Sequence, residues 1–104
     1  MLVYEVNCLV NTKMKETFME WLPNHIREIL AIDGFISAET YQMLEDDQLS
    51  ARENSFGVSI RYYLKGQDTL NNYLDNHAEK LRKDGKDKFG DQLSAYRRVL
   101  LKSA

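Results

Sequence analysis

A single cysteine, Cys8, leaves this chain unable to close a disulfide on itself, which fits a reducing compartment. No apolar run approaches the roughly 20 residues that cross a bilayer. The opening residues Met1-Leu2-Val3-Tyr4-Glu5-Val6 lack the basic start, apolar stretch and small-residue cleavage site of a secretory signal. A strong excess of either charge is also missing: 16 acidic residues face 14 basic ones. No general attraction to nucleic acid or to an anionic membrane follows from that balance. Histidine is scarce too, with two copies, an incomplete set of metal ligands without a third. These absences point to a soluble cytoplasmic protein with one domain spanning residues 1–104, long enough for one modest core.

What is present is periodic. Tyr4, Val6, Cys8 and Val10 alternate with Val3, Glu5, Asn7 and Leu9, the period-two pattern of a strand with one strongly apolar and one mixed face. Asn11-Thr12 supply helix N-caps. Met14, Phe18, Trp21, Leu22, Ile26, Ile29 and Leu30 then fall at helical spacing, with His25 inside the stripe. Pro23 removes the bond to the Met19 carbonyl and predicts one kinked helix. Asp33-Gly34 ends it. A second strand is expected over Phe35–Leu44, with Phe35, Tyr41 and Met43 on one face and Ile36, Ala38 and Leu44 on the other, hence covered on both sides. Polar residues 45–54 read as a long hairpin connection. A third strand places Phe56, Val58, Ile60, Tyr62 and Leu64 on its apolar face. Asp68 is the expected N-cap of a second helix bearing Leu70, Tyr73, Leu74, His77 and Leu81, ending at Asp84-Gly85. A connector over 86–91 and a fourth strand over Gln92–Lys102 complete the chain.

The order β-α-β-β-α-β predicts an α+β, ferredoxin-like fold: a four-stranded antiparallel sheet with two helices on one face. A repeat runs through it. Trp21-Leu22-Pro23-Asn24-His25-Ile26 returns 52 residues later as Tyr73-Leu74-Asp75-Asn76-His77-Ala78, and the same offset pairs Tyr4 with Phe56 and Phe18 with Leu70. Both histidines thus sit at one place in two related halves. The sheet face away from the helices is expected to carry Glu5, Asn7, Leu9, Glu39, Tyr41, Ser59, Arg61, Tyr63, Tyr96 and Arg98. Its tyrosines and Leu9 make a patch that a second copy would cover in a closed dimer.

Tyr4-Glu5-Val6, Trp21-Leu22 with His25, Gly34-Phe35-Ile36-Ser37-Ala38-Glu39, Tyr73-Leu74 with His77, Phe89-Gly90 and Arg97-Arg98-Val99-Leu100 together resemble a small bacterial family, the domain of unknown function 4286. That family is similar to the dimeric α+β barrel proteins, which include cofactor-independent monooxygenases, muconolactone-isomerase-like enzymes and haem-degrading enzymes. The resemblance implies a dimeric α+β barrel and no established reaction.

His25 and His77 are the candidate catalytic residues, because imidazole titrates near neutral pH and both are expected to reach a shared cleft between helices and sheet. The contrary reading makes each a core histidine satisfied by a hydroxyl or carbonyl. Asn7, Trp21 and Tyr73 are the candidate ligand-binding residues. The haem-degrading enzymes use an Asn on the first strand and a Trp and His on the second helix. Asn7 matches, but Tyr73 stands for the Trp, and His77 follows it by one turn where that family's histidine lies nearly three turns on. No cofactor and no metal are expected. A two-histidine, one-carboxylate iron site lacks an identifiable carboxylate. Cys8 reads as core, no G-x-S-x-G elbow is present, and Phe56-Gly57-Val58 lacks the basic-Gly pair of an RNA-binding strand. Lys80, Arg82, Lys83, Lys86 and Lys88 read as a solvated face complementing a helix C-terminus. The resulting expectation is a homodimer, paired through the sheet face, that binds a small molecule or partner in the helix–sheet cleft without nucleic acid or membrane. The alternative is a small cofactor-independent monooxygenase or isomerase-like enzyme using His25, His77 or both.

Overall fold

Alternating residues place β1 (Leu2–Asn11) at the centre of a four-stranded antiparallel sheet in the computed structural model, which describes residues 1–103. The elements that follow are a 3-10 turn (Thr12–Met14), α1 (Lys15–Leu30), β2 (Phe35–Met43), α2 (Asp47–Ser50), β3 (Ser55–Leu64), α3 (Gln67–Asn76), α4 (Ala78–Phe89), a second 3-10 turn (Gly90–Gln92) and β4 (Leu93–Leu101). The sheet order is β2-β3-β1-β4. This is the expected ferredoxin-like α+β topology. Among the described residues, no helix is long and apolar enough to cross a membrane.

One face of the sheet carries Tyr4, Cys8, Val10, Val58, Ile60, Tyr62 and Leu64 into a core completed by Phe18, Leu22 and Ile29 of α1, Leu70 and Tyr73 of α3, and Ala78, Leu81 and Phe89 of α4. Both β1 and β3 therefore keep the predicted phase. So does α1, which continues through Pro23 as one helix. The proline lies on the exposed side, where the missing bond faces water. Gly34 has φ +92°, and a Cβ there would meet the Thr69 side chain at 2.1 Å, so this turn both reverses the chain and admits the start of α3.

Several expectations are corrected. The second helix does not stop at Asp84-Gly85. Gly85 is interior to α4, its missing Cβ leaving space for the Trp21 ring and Leu93, which a Cβ would approach at 3.3 and 3.4 Å. The terminator is Gly90 at φ +53°, so most of the expected connector is helix. The same helix is interrupted within its expected span, at His77, with φ −129° and ψ −33°. Its N-terminal position is held by Gly66 without a side-chain cap, and Asp68 lies inside the first turn. There the Asp68 charge still favours the helix dipole.

In β2 the register slips between Phe35 and Ser37, a bulge at Ile36. Phe35 consequently joins the core while Tyr41 and Met43 stay on the other face, and β2 is a largely exposed edge strand with no cover on both sides. Residues 45–54 are no plain hairpin connection. Asp46 accepts bonds from the backbone of Gln48 and Leu49 to cap α2. The Asp46 carboxylate also accepts a hydrogen bond from the Tyr96 hydroxyl on β4. The segment thus reaches across the open face. On that face Leu9 is 1% exposed although its cross-strand neighbours, Gly57 and Ser94, are small, so it leaves the apolar patch expected there.

Candidate functional site

Between the helices and the sheet lies a cavity of about 60 Å³. Its floor is Val6 and Cys8 of β1, Ile60 and Tyr62 of β3 and Ala95 of β4; its walls are Trp21, Leu22, His25 and Ile29 of α1 with Tyr73, Leu81 and Gly85 of the second helical layer. The walls follow from the stripe that builds the core. His25 is one turn from Trp21 and one from Ile29, so it must face inward, and its ring stacks on Trp21 at 4.3 Å between centroids. Burial pushes the His25 pKa below its ordinary value, against the pull of Glu28 and Asp84, and Arg97 adds to the depression. The ring is accordingly neutral at pH 7, able to accept or donate a hydrogen bond.

Besides the His25 imidazole and the Trp21 indole, the polar groups around this space are phenols, guanidiniums and one thiol. Tyr62 is 1% exposed and lines the cavity. Among the described residues every fully enclosed polar side-chain atom has a hydrogen-bond partner. The Tyr62 ring forms part of the cavity floor, packed between Tyr4 and Phe35. Burial, with Tyr73, Cys8 and Tyr4 nearby, holds its hydroxyl protonated. The Tyr73 hydroxyl is pushed up to about 12, chiefly by burial. Arg82 donates from Nη2 to the Tyr4 hydroxyl at 3.0 Å. The Cys8 thiol is pushed up to about 12 by burial, which makes it a protonated core group with no nucleophilic character at neutral pH.

The residues singled out in the sequence part company here. Trp21, His25 and Tyr73 share the cavity. His77 does not: it sits at the α3–α4 break and lines a separate surface depression with Glu28, Ala31, Ile32, Asn76 and Lys80. The two histidines therefore share no cleft, because the break at His77 takes that position off the stripe its counterpart occupies. Asn7 is also elsewhere. It is buried on the opposite sheet face and donates from Nδ2 to Glu5 Oε1 at 2.9 Å. Asn7 and Tyr73 thus lie on opposite sides of the sheet, and they do not fit the arrangement of the haem-degrading enzymes. Among the described residues no three His, Cys, Asp or Glu side chains gather as metal ligands.

Arg82, Arg97 and Tyr62 belong to the site without standing out in the sequence. Arg97 does carry a signal: it falls between Ala95 and Val99 on the period-two face of β4 that points towards the helices. A charge there needs water or a partner. Arg82 is hidden by its place near an expected helix end.

The opposite sheet face has its own polar order. Glu5, 1% exposed, accepts from Arg98 Nε at 2.7 Å and from Arg61 Nε at 3.1 Å. Burial alone would raise its pKa; the bonds from Arg98, Asn7 and Arg61 outweigh that and hold it below the usual carboxylate range. Strand register sets Glu39, Arg61, Glu5 and Arg98 side by side across β2, β3, β1 and β4, a row of alternating sign.

Comparisons with known proteins agree with this architecture. The pattern of the domain of unknown function 4286 matches residues 1–103. No curated protein matches in sequence. Among solved structures, a mutant form of SnoaB, a cofactor-independent oxygenase from Streptomyces nogalater, is similar with a TM-score of 0.65 at 14% identity, covering 99% of this chain and 94% of that one. A candidate antibiotic biosynthesis monooxygenase from Deinococcus radiodurans reaches 0.71 at 8% identity, covering 100% of this chain and 94% of that one. The de novo designed protein Foldit4 reaches 0.57 at 13% identity, covering 98% of both. A likeness shared with a designed protein is a likeness of fold.

Proposed function

We propose that this chain, which belongs to the family described as domain of unknown function 4286, binds a small molecule in its helix–sheet cavity and does so as a homodimer paired through the open sheet face. One observation carries the binding reading. Trp21, His25, Tyr62 and Tyr73 line one cavity of about 60 Å³ between the helices and the sheet. The apolar walls and few convergent polar groups have the composition of a ligand site. Trp21, the chain's single tryptophan, lies in the wall and reports occupancy directly. Small aromatic compounds titrated against Trp21 fluorescence should give a saturable change that weakens in Tyr62→Phe. A Trp21 signal that no compound perturbs would remove the reading.

Dimerisation is supported by the row Glu39-Arg61-Glu5-Arg98. A two-fold axis running along the strands lays Glu39 of one copy over Arg98 of the other, and Arg61 over Glu5, so the row is complementary to itself. Tyr41 is exposed beside it. Light scattering at micromolar concentration should give twice the 12.2 kDa chain mass; a monomer mass overturns the pairing.

A second reading, a cofactor-independent monooxygenase or isomerase-like enzyme, is favoured by the neutral His25 ring at the cavity wall, which is suited to abstract a proton from a bound acid C–H or O–H. Its test is whether His25→Ala abolishes turnover of a bound compound while leaving Trp21-detected binding in place.

A further inference from the structure

The cavity has a polar doorway, and its chemistry names a ligand class. An open groove of about 830 Å³ runs between α4 and the edge strand β4, lined by Arg52, Arg82, Lys86 and Arg97 against Asp87 and Asp91. Arg82, Leu93, Ala95 and Arg97 line both this groove and the cavity. The two spaces therefore adjoin at a boundary, which we take as the mouth, whose only charged members among the described residues are two guanidiniums, one from the helix and one from the strand. Neither is in an ion pair among the described residues. Asp87 in the groove is taken by Lys83, and the carboxylates of Asp84 and Glu28 act on His25 without lining either space. Arg82 is steadied by its bond to Tyr4, which aims a rigid planar donor at the mouth.

We infer that the ligand is a small organic carboxylate, its acid group held between Arg82 and Arg97 and its apolar end directed inward against Trp21, Leu22 and Leu81. Two like charges at one mouth repel each other, and an anion between them turns that repulsion into paired charge-assisted hydrogen bonds. The inner space suits the other end. About 60 Å³ accommodates roughly two waters, enough for a short chain or the edge of one ring and too little for a second charged group. The inference rests on the reading that the cavity binds a small molecule at all.

Benzoate and its neutral isostere benzamide separate the two claims. The Trp21 indole N–H resonance is followed while each is titrated into the full chain, with folding of every variant checked by circular dichroism. Benzoate is expected to bind about tenfold or more tighter than benzamide, as one charge-assisted bond provides, and to weaken as salt rises. Arg97→Gln and Arg82→Gln should each erase that advantage and leave benzamide binding intact. Arg97→Gln is the cleaner of the two, since Arg82 also supports Tyr4. Lys88→Gln, on α4 outside the groove, should change nothing. Equal binding of the two compounds, or a preference that survives both arginine variants, overturns the carboxylate assignment while the cavity reading stands. Binding of neither, with Trp21 unmoved, overturns both.

Discussion

Trp21-Leu22-Pro23-Asn24-His25-Ile26 and Tyr73-Leu74-Asp75-Asn76-His77-Ala78 are nearly the same words, and the chain folds them differently. The copy containing a proline stays within one helix, while the copy without one breaks at its histidine. Leu22 is 3% exposed and its counterpart Leu74 is 43% exposed. Burial explains the difference. In α1 the buried positions Phe18, Leu22 and Ile29 keep the three- and four-residue rhythm of a helix, with His25 on the same stripe. In the second copy Tyr73 and Ala78 are both fully buried five residues apart, where their counterparts Trp21 and Ile26 in α1 are only partly buried at the edges of the stripe. The irregular backbone at His77 accommodates that spacing and lets Ala78, Leu81, Gly85 and Phe89 resume contact. A repeated motif therefore preserves residue types without preserving what they face. The histidine that stayed on the stripe reaches the cavity; the other marks a joint.

The contrast is easiest to break at the leucines. Leu22→Ala should cost about 2–5 kcal/mol in urea denaturation, the usual range for emptying a packed leucine site, whereas Leu74→Ala should stay within about 0.5 kcal/mol. Comparable losses would mean that the copies are packed alike. Pro23→Ala should stabilise by roughly 1–2 kcal/mol, because the restored helix bond and propensity outweigh the lost restriction of the unfolded chain. A loss of stability there would show that Pro23 itself helps to seat His25.

The pH dependence of His25 gives a smaller effect. Its folded pKa lies below the ordinary 6.5, so just below 6.5 the unfolded chain holds the extra proton. Stability contributed by the buried neutral ring is present above that value and declines as pH falls towards the folded pKa. His25→Ala should flatten this part of the stability curve, and His77→Ala should leave ligand-induced changes at Trp21 intact. Smallest of all is Gly85→Ala, where about 1 kcal/mol of helix propensity opposes a tight approach to Trp21 and Leu93. A net change under about 1 kcal/mol with a displaced Trp21 emission is expected, and an unmoved emission would mean that the ring is not packed against α4.

Much of the fold was legible because burial writes itself into period. The alternation of Tyr4, Val6, Cys8 and Val10, and of Phe56 to Leu64, marks the two central strands with the correct faces. The features that escaped are those in which one residue type serves two uses. Gly85 looks like a helix terminator and is a packing gap. Ile36 looks like a strand residue and is the extra one in a bulge, which only its pairing with β3 discloses. Arg82 looks like a cation at a helix end and is a donor to Tyr4 on β1, a contact between residues far apart in the chain. Of the site, Trp21, His25 and Tyr73 could be read from the helical stripe. The phenol of Tyr62 could not be distinguished from other apolar-face residues, since its place in the cavity lining is a property of the packed structure.

The central strand has a further consequence, for the rate at which this chain folds. β1 makes no ladder with its sequence neighbour β2; its partners are β3 and β4, with Leu2 opposite both Leu64 and Leu101. Each of those pairings closes a long loop before any sheet core exists, and the entropy of closure comes ahead of the contacts that reward it. Hairpin contacts between β2 and β3 can assemble early, but they present a half-sheet whose next position stays empty until β1 arrives. Folding should therefore be slow for a chain of this size, with mutations in β4 accelerating unfolding more than they retard folding.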